Sequence, residues 1–292
     1  MEAAMRHQAP FALISMMLLA ALPAQAQQTL PAVDGPSGKL SFTRGGANGD
    51  DATGLEGAVT LPLGQRFGLQ LDGAGGALDG SLGKPAFYGG GAHLFWRDPS
   101  TGMIGVEAGF ARLDALGGVN TYSVGVEAER YWNSFTLGGL IGVIDQSNAT
   151  FSTPQGQFRY DLDTRFVAAA NLTWYPDDNL ALTVSGAVAG GDVTAGVGIE
   201  WAPASTSSAQ PSVFARALLR EGGDVYALAG LSLYFGGQPK PLIRRHREDD
   251  PTIGNVMGLG SKAGIAFTLG AICKFRAHNS NPCERPGRQS LL

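Results

Sequence analysis

The chain has 292 residues, of which 43 are glycine and only 16% are charged, and its formal net charge is −4. This balance excludes a basic nucleic-acid-binding surface, so no nucleic acid is expected as a partner. The only two cysteines, Cys273 and Cys283, lie near the C-terminus, so disulfides do not hold the bulk of the fold together.

Residues 1–26 have the features of a secretory signal peptide. The start is basic at Arg6, residues 11–22 form an apolar run too short to span a bilayer as a helix, and residues 24–26 (AQA) form a small-x-small cleavage site. Residues 27–37 are then predicted to be a short N-terminal periplasmic segment. No later stretch has about 18 consecutive apolar residues, so the exported chain is soluble, anchored or a β-barrel.

Residues 38–235 alternate between apolar and other side chains along about twelve segments. In the last segment, Val225 to Phe235, every odd position is apolar and the even positions are mixed. Successive side chains of a strand face opposite sides, so each segment presents one continuous apolar face. The predicted fold is all-β, an antiparallel transmembrane β-barrel of about twelve strands.

The connections between the segments fall into two alternating sets. One set is mostly short turns, at residues 64–65, 98–100, 133–134 and 176–179, with 202–210 as a longer member. The other set is predicted to be longer and rich in glycine and polar residues, at 45–54, 77–84, 113–120, 145–160, 190–191 and 221–224. Outer-membrane barrels have short periplasmic turns and longer outer loops, and an even strand count places both termini on the short-turn side.

All four tryptophans lie beside a short turn. They are Trp96, Trp132, Trp174 and Trp201, and Phe235 lies at the same end of the last segment. This arrangement predicts an aromatic girdle at headgroup depth, although strand ends of soluble sheets also carry aromatic residues.

The closing segment carries a pattern that links the chain to a family. Gly230 is followed three residues later by Leu233 and two further on by Phe235. At these positions the segment resembles the closing strand of bacterial outer-membrane β-barrels, although Leu228 stands where that family has a polar residue. The resemblance implies that these three residues are an assembly signal read by the barrel assembly machinery.

A narrower resemblance rests on two further stretches. Residues 93–99 (HLFWRDP) and 242–251 (LIRRHREDDP) resemble those of a porin-like or uncharacterised group of proteobacterial outer-membrane barrel proteins. This resemblance spans residues 38 to 251 approximately. It implies an outer-membrane location and a barrel fold, and it implies no activity.

Residues 236–292 are predicted to be a largely disordered periplasmic tail. Prolines flank the charged run 244–250, which favours a solvated linker over contact with an anionic surface. Cys273 and Cys283 either close a small disulfide loop, stay free or pair between chains.

Charged residues fall at positions that the alternation turns inward. They are Lys39, Glu56, Asp72, His93, Arg97, Glu107, Glu127, Glu129, Arg165, Glu200, Arg216 and Arg220. An isolated buried charge is costly, so these residues either pair in a ladder that fills the lumen or line a hydrated path for small solutes. Twelve strands give an intermediate width, at which both outcomes remain open.

Catalysis, cofactors and metal binding are not expected. Barrel enzymes of this membrane use a histidine near a serine or a pair of carboxylates. Residues 38–235 contain one histidine, His93, and it lies toward the periplasmic side rather than at the outer rim. His246 and the two cysteines are too scattered for a closed zinc site.

The leading functional prediction is an outer-membrane barrel that is structural or porin-like and passes small solutes at most. The alternative is a surface protein that binds a partner through residues 145–160, which include Phe151, Phe158 and Tyr160. An enzyme is the third and least favoured reading. The other expected partner is outer-membrane lipid.

Overall fold

The computed structural model describes residues 30–249 apart from 48–49, 80–82, 116, 154–155, 161, 163 and 221–224, and without the side chains of 47, 50, 151–160 and 220. The predicted signal peptide, residues 250–292 of the predicted tail and both cysteines, Cys273 and Cys283, lie outside the described residues. No helix in the described part is long and apolar enough to cross a membrane.

The described chain is built almost entirely of antiparallel strands. Their bounds are β1 Ser37–Ala47, β2 Asp50–Leu63, β3 Phe67–Asp79, β4 Ala86–Asp98, β5 Gly102–Leu113, β6 Val119–Trp132, β7 Phe135–Gln146, β8 Ala149–Thr153, β9 Gly156–Tyr160, β10 Arg165–Asp177, β11 Leu180–Ala189, β12 Asp192–Trp201, β13 Gln210–Arg220 and β14 Val225–Gly236, followed by the helix α1 Leu242–Glu248. Strands β1–β7 and β10–β14 form a closed barrel in sequence order. The predicted twelve-stranded antiparallel barrel is therefore confirmed.

Pairing of the first and last strands closes the barrel. The β1–β14 register runs from Ser37 opposite Gly236 to Gly46 opposite Ala227. Closure gives every barrel strand a partner on both sides, so no row of backbone N–H and C=O groups is left unpaired. This condition is what allows strands to lie in hydrocarbon.

The two faces of each strand differ as the alternation predicts. Val184, Val197 and Leu231 expose 54%, 59% and 60% of their surface on the outside, whereas Asn171 and Thr173 are buried on the inside. A continuous apolar exterior of this kind would drive aggregation in water. It suits the lipid of the outer membrane, where barrels of this type reside.

Several outer connections are shorter than the sequence predicted. The β1–β2 connection is residues 48–49 instead of 45–54, because the glycine-rich flanks continue the backbone ladder. Residues 145–160 are not a plain loop, since β8 and β9 pair there as a separate two-stranded sheet. On the other side the turns are tight, and Asn133 adopts the positive φ of 36° that two-residue hairpin turns favour.

The chain reverses direction directly after the barrel closes. Gly236 and Gly237 have φ values of +81° and +61°, and a Cβ at Gly236 would lie 2.4 Å from the carbonyl oxygen of Pro36. Glycine is needed there for both reasons. The turn directs the following residues back into the opening of the barrel at its short-turn end, which we call the periplasmic mouth after the predicted orientation.

The prediction of a solvated linker was wrong for residues 239–249. They form α1 and its flanks, with the side chains of Leu242 and Arg245 fully buried. Two ion pairs at i,i+4 spacing, Arg244 with Glu248 and Arg245 with Asp249, favour a helical conformation of these residues. We call residues 239–249 the plug.

The lipid-facing register can be tested at two adjacent positions of β12. Val197→Arg places a charge in hydrocarbon and should destabilise the barrel by about 2–4 kcal/mol if the position is near the midplane. Gly198→Arg is the control, because it points inward and a Cβ there meets nothing closer than 3.5 Å. Unfolding of both variants in lipid vesicles by denaturant gives the comparison. Equal destabilisation at both positions would contradict the assigned exterior.

Candidate functional site in the barrel lumen

The inside of the barrel carries the charged residues that the alternation turned inward. Lys39, His93, Arg97, Glu107, Glu127 and Glu129 are buried, while Glu56, Asp72, Arg165, Glu200 and Arg216 are partly buried. The side chain of Arg220 lies outside the described atoms. The interior therefore holds charges of both signs.

Four of these residues form one cluster, which we call the carboxylate–histidine cluster: Asp72, His93, Glu107 and Glu127. Nε2 of His93 lies 2.9 Å from Oδ2 of Asp72, and Nδ1 lies 3.1 Å from Oε1 of Glu127 and 3.9 Å from Oε2 of Glu107. Strand register creates this arrangement, since His93 on β4 lies directly opposite Glu107 on β5. Residues of β3, β4, β5 and β6 thus meet around a single imidazole.

Glycines leave the room that the cluster occupies. A Cβ at Gly91 would lie 3.2 Å from both carboxylate oxygens of Asp72, and a Cβ at Gly105 would lie 3.1 Å from Oε1 of Glu127. These distances are tighter than ordinary contacts between side chains. Side chains at these glycines would therefore crowd the carboxylates.

Other predicted lumen charges are placed apart from the cluster. Arg165 donates to the carbonyl oxygen of Leu162, and the guanidinium of Arg216 lies 4.7 Å from the centre of the Phe214 ring. Glu129 accepts a hydrogen bond of 2.7 Å from the hydroxyl of Tyr131. Arg165 also lies 3.9 Å from Asp192 and Glu200 lies 3.5 Å from His246, so ion pairs and other polar contacts both occur along the lumen wall.

The plug closes one side of the periplasmic mouth through polar contacts with the barrel wall. Arg245 donates to the carbonyl oxygens of Gly236 and Ser208, at 2.8 and 2.9 Å. Arg247 reaches β7, where it donates to the carbonyl oxygen of Phe135. The helix is therefore held to both the β7 and the β14 sides of the mouth.

His246 connects the plug to two strands inside the barrel. Its Nδ1 lies 3.0 Å from the hydroxyl of Tyr175, and its Nε2 lies 3.1 Å from the hydroxyl of Tyr234. Tyr234 donates its one hydroxyl proton to Glu200 at 2.9 Å, so Nε2 of His246 is the donor to the Tyr234 oxygen.

Residues 30–36, which we call the N-terminal strap, cover the opposite side of the mouth. Val33 packs with Phe95 and Met103, and Arg97 donates to the carbonyl oxygen of Ala32 at 3.4 Å. Arg97 is fully buried and lies over the Phe95 ring. The predicted lumen residue Arg97 thus anchors the strap.

Lys240 joins the strap to the plug. Its Nζ is fully buried and lies 3.0 Å from Asp34, 3.2 Å from Glu248 and 2.8 Å from Asp249. We call these four residues the Lys240 cluster. Through it, the chain segments before β1 and after β14 close the mouth together.

A small cavity remains next to the plug. Its volume is about 40 Å³, and its lining includes Lys39, Thr183, Glu200, Arg216 and His246. A cavity of this size has room for a few water molecules, and the charged groups of Lys39, Glu200 and Arg216 give such waters polar partners. The lumen beside β11–β14 therefore leaves space that side chains do not fill.

Sequence reasoning missed the residues of the plug. The sequence predicts a solvated linker for the stretch that contains Lys240, Arg245 and His246. The signal for a docked helix was the apolar pair Leu242 and Ile243, which directly precedes the i,i+4 charge pairs. The apolar pair packs with Tyr175 and Tyr234 inside the mouth.

The predicted aromatic girdle residues lie at the strand ends that the short turns connect. Trp132, Trp174, Trp201 and Phe235 are exposed on the outside, and Trp96 is partly buried. Phe135 stacks on Trp174 with ring centres 6.3 Å apart. In the closing strand, Leu233 and Phe235 face outward and Gly230 faces inward against Phe214.

Comparison with known proteins supports the fold. No protein-family model matches the sequence, and no curated protein matches it significantly. An outer membrane channel from Pseudomonas putida F1 superposes with a TM-score of 0.52 over 73% of this chain and 99% of that chain, at 13% identity. The KdgM porin in complex with disordered oligogalacturonate gives 0.47 over 68% and 99%, at 9% identity. The translocator domain of the autotransporter NalP from Neisseria meningitidis gives 0.46 over 70% and 88%, at 10% identity.

The similarity to the Pseudomonas channel, at this low identity, shows a shared fold. Together with the apolar exterior, it places the chain among β-barrels of the outer membrane.

The two aromatic residues at the end of β14 should behave differently when replaced. Phe235→Ser should lower the amount of protein in the outer membrane, because Phe235 faces outward and is part of the predicted assembly signal. Tyr234→Phe should leave that amount unchanged, since it removes only the hydroxyl that contacts Glu200 and His246. Outer-membrane abundance at matched expression is the measurement. A larger loss for Tyr234→Phe would contradict the assembly role of Phe235.

Proposed function

We propose that this chain is a porin-like outer-membrane channel for small hydrophilic solutes whose periplasmic mouth is closed by the plug and the N-terminal strap. The observation that carries the proposal is the buried Lys240 cluster, which joins these two segments across the mouth. A barrel that served only as a structural anchor would have no need for a closure built from both ends of the chain.

The path for solutes runs along the β11–β14 side of the lumen. Small or polar residues such as Thr183, Ser185 and Gly198 line the cavity next to His246, together with apolar residues such as Leu218. Such a lining favours small hydrophilic solutes over apolar ones. Passage through the periplasmic mouth then requires the plug to move.

The contacts of the plug suit a reversible closure. Leu242 and Ile243 are its buried apolar residues, and most of its other contacts with the wall are hydrogen bonds, ion pairs and contacts of Arg247 and His246 with tyrosine rings. Water can replace hydrogen bonds at modest net cost, whereas it replaces apolar packing poorly. The plug can therefore leave the mouth without unfolding the barrel, because the strand ladder ends at Gly236.

We assign no catalytic role to the lumen. Both ring nitrogens of His93 face carboxylates, and among the described residues neither hydrogen-bonds to a serine, threonine or cysteine that it could activate. The hydroxyl groups that contact His246 belong to Tyr175 and Tyr234.

Lys240→Ala tests the closure. It leaves Asp34, Glu248 and Asp249 facing one another without their shared cation, and breaking a buried ion pair in this way costs about 3–5 kcal/mol. We expect the plug to leave the mouth and the single-channel conductance in planar bilayers to rise well above that of the unaltered chain.

Arg244→Ala is the matched control for this experiment. Arg244 is about half exposed and pairs with Glu248 within α1, so its loss should leave the conductance low. Both variants should keep heat-modifiable gel mobility, which reports an intact barrel. The proposal is wrong if Lys240→Ala leaves the conductance at the level of Arg244→Ala.

We propose, as a second function, that residues 145–160 bind a partner at the cell surface. The β8–β9 hairpin favours this reading, because it gives an outer connection its own two-stranded sheet. Replacing residues 148–163 by a short turn should abolish binding of the barrel to cells that carry the partner molecule, and it should leave the conductance unchanged. Shortening the connection 190–191 is the control, and unchanged binding after loss of the hairpin would remove this second function.

A further inference from the structure

We infer that the carboxylate–histidine cluster is a binding site for a divalent transition-metal ion such as Zn²⁺. The proposed ligands are His93, Glu107 and Glu127, and Asp72 orients the imidazole. The spacing of these residues along the chain matches no metal motif, because β4, β5 and β6 each supply one ligand.

The charges of the cluster favour a bound cation, because buried carboxyl groups must otherwise take up protons. Asp72, Glu107 and Glu127 surround one imidazole, and within the described part of the chain their ion pairs are all with His93. Even a protonated imidazole balances only one of three carboxylates. Burying an unbalanced carboxylate is very costly, so a bound dication would stabilise the site.

Two carboxylate oxygens in the cluster are buried and unpartnered among the described residues. They are Oε1 of Glu107 and Oε2 of Glu127, on side chains that are 4% and 0% exposed. Buried oxygens of this kind normally find a hydrogen-bond donor or a cation. Two such carboxylate oxygens in one cluster favour a cation bound between them.

The distances suit a common ion. Zinc binds nitrogen and carboxylate oxygen at about 2.0–2.2 Å, so two of its ligand atoms lie up to about 4.2 Å apart. Nδ1 of His93 lies 3.1 Å from Glu127 and 3.9 Å from Glu107, which is within this limit. All three ligand atoms lie within 4.8 Å of one another, so a small shift of the side chains lets them share one ion. One imidazole nitrogen with carboxylate oxygens is a donor set that zinc accepts, with a further position left for water.

The second nitrogen of His93 has the partner that a metal-binding histidine usually has. Nε2 lies 2.9 Å from Asp72, so a proton on Nε2 is donated to that carboxylate and the lone pair of Nδ1 points at Glu107 and Glu127. A lone pair facing two carboxylates is repulsive unless a proton or a metal ion lies between them. Zinc in this position would join β4, β5 and β6 through their side chains.

The test uses the full-length chain without an affinity tag, folded in detergent and treated with a chelator, then titrated with Zn²⁺ by calorimetry. We expect one equivalent to bind, and Co²⁺ to give the visible absorption of a site with nitrogen and oxygen ligands. Glu107→Gln and Glu127→Gln keep the side-chain volume and should weaken Zn²⁺ binding by at least about 100-fold, and Asp72→Asn by about 10–100-fold.

Two controls separate this site from other binding. Glu129→Gln removes the same charge from the same strand as Glu127, and His246→Gln removes the other described histidine; both should keep the affinity of the unaltered chain. Heat-modifiable mobility checks that each variant folds. Absence of Zn²⁺ and Co²⁺ binding to the folded chain, or equal losses in the controls, would overturn the inference and leave a protonated His93 as the only cation of the cluster.

Discussion

Backbone pairing between β1 and β14 is the interaction on which the rest of the structure depends. In hydrocarbon an unpaired N–H or C=O group costs several kcal/mol, so strands can cross a membrane only when the sheet has no edge. The register from Ser37 opposite Gly236 onward satisfies this condition over the whole of the closing pair. Once the sheet is closed, the alternation of side chains sends one set into lipid and the other into a confined interior.

Confinement then determines how the interior charges behave. A surface carboxylate is solvated by water, but Glu107 and Glu127 are buried and must find partners within the barrel. Glycines at positions 91 and 105 keep the necessary space open, so these small residues serve the polar cluster as well as the strand ladder. The result is an interior with a densely charged wall on β3–β6 and a small cavity beside β11–β14.

The plug depends on closure in the same way. Its binding site is made of groups from β7, β10, β11 and β14, and these strands meet around the mouth only in the finished barrel. The Gly236-Gly237 turn supplies the direction and Lys240 supplies the joint to the N-terminal strap. A barrel, a plug and a strap therefore form one unit in which both ends of the chain meet.

The sequence by itself determined the strand pattern, the number of barrel strands, the inward or outward direction of residues such as His93 and Val197, and the side on which the tryptophans lie, because all of these follow from a local period of two. It did not determine the helix at Leu242–Glu248, since a seven-residue helix is not stable alone and forms only against the finished mouth. Nor did it determine the carboxylate–histidine cluster, because the contact between His93 and Glu127 depends on the exact register of three strands rather than on spacing along the chain. Tertiary structure alone brought those residues together.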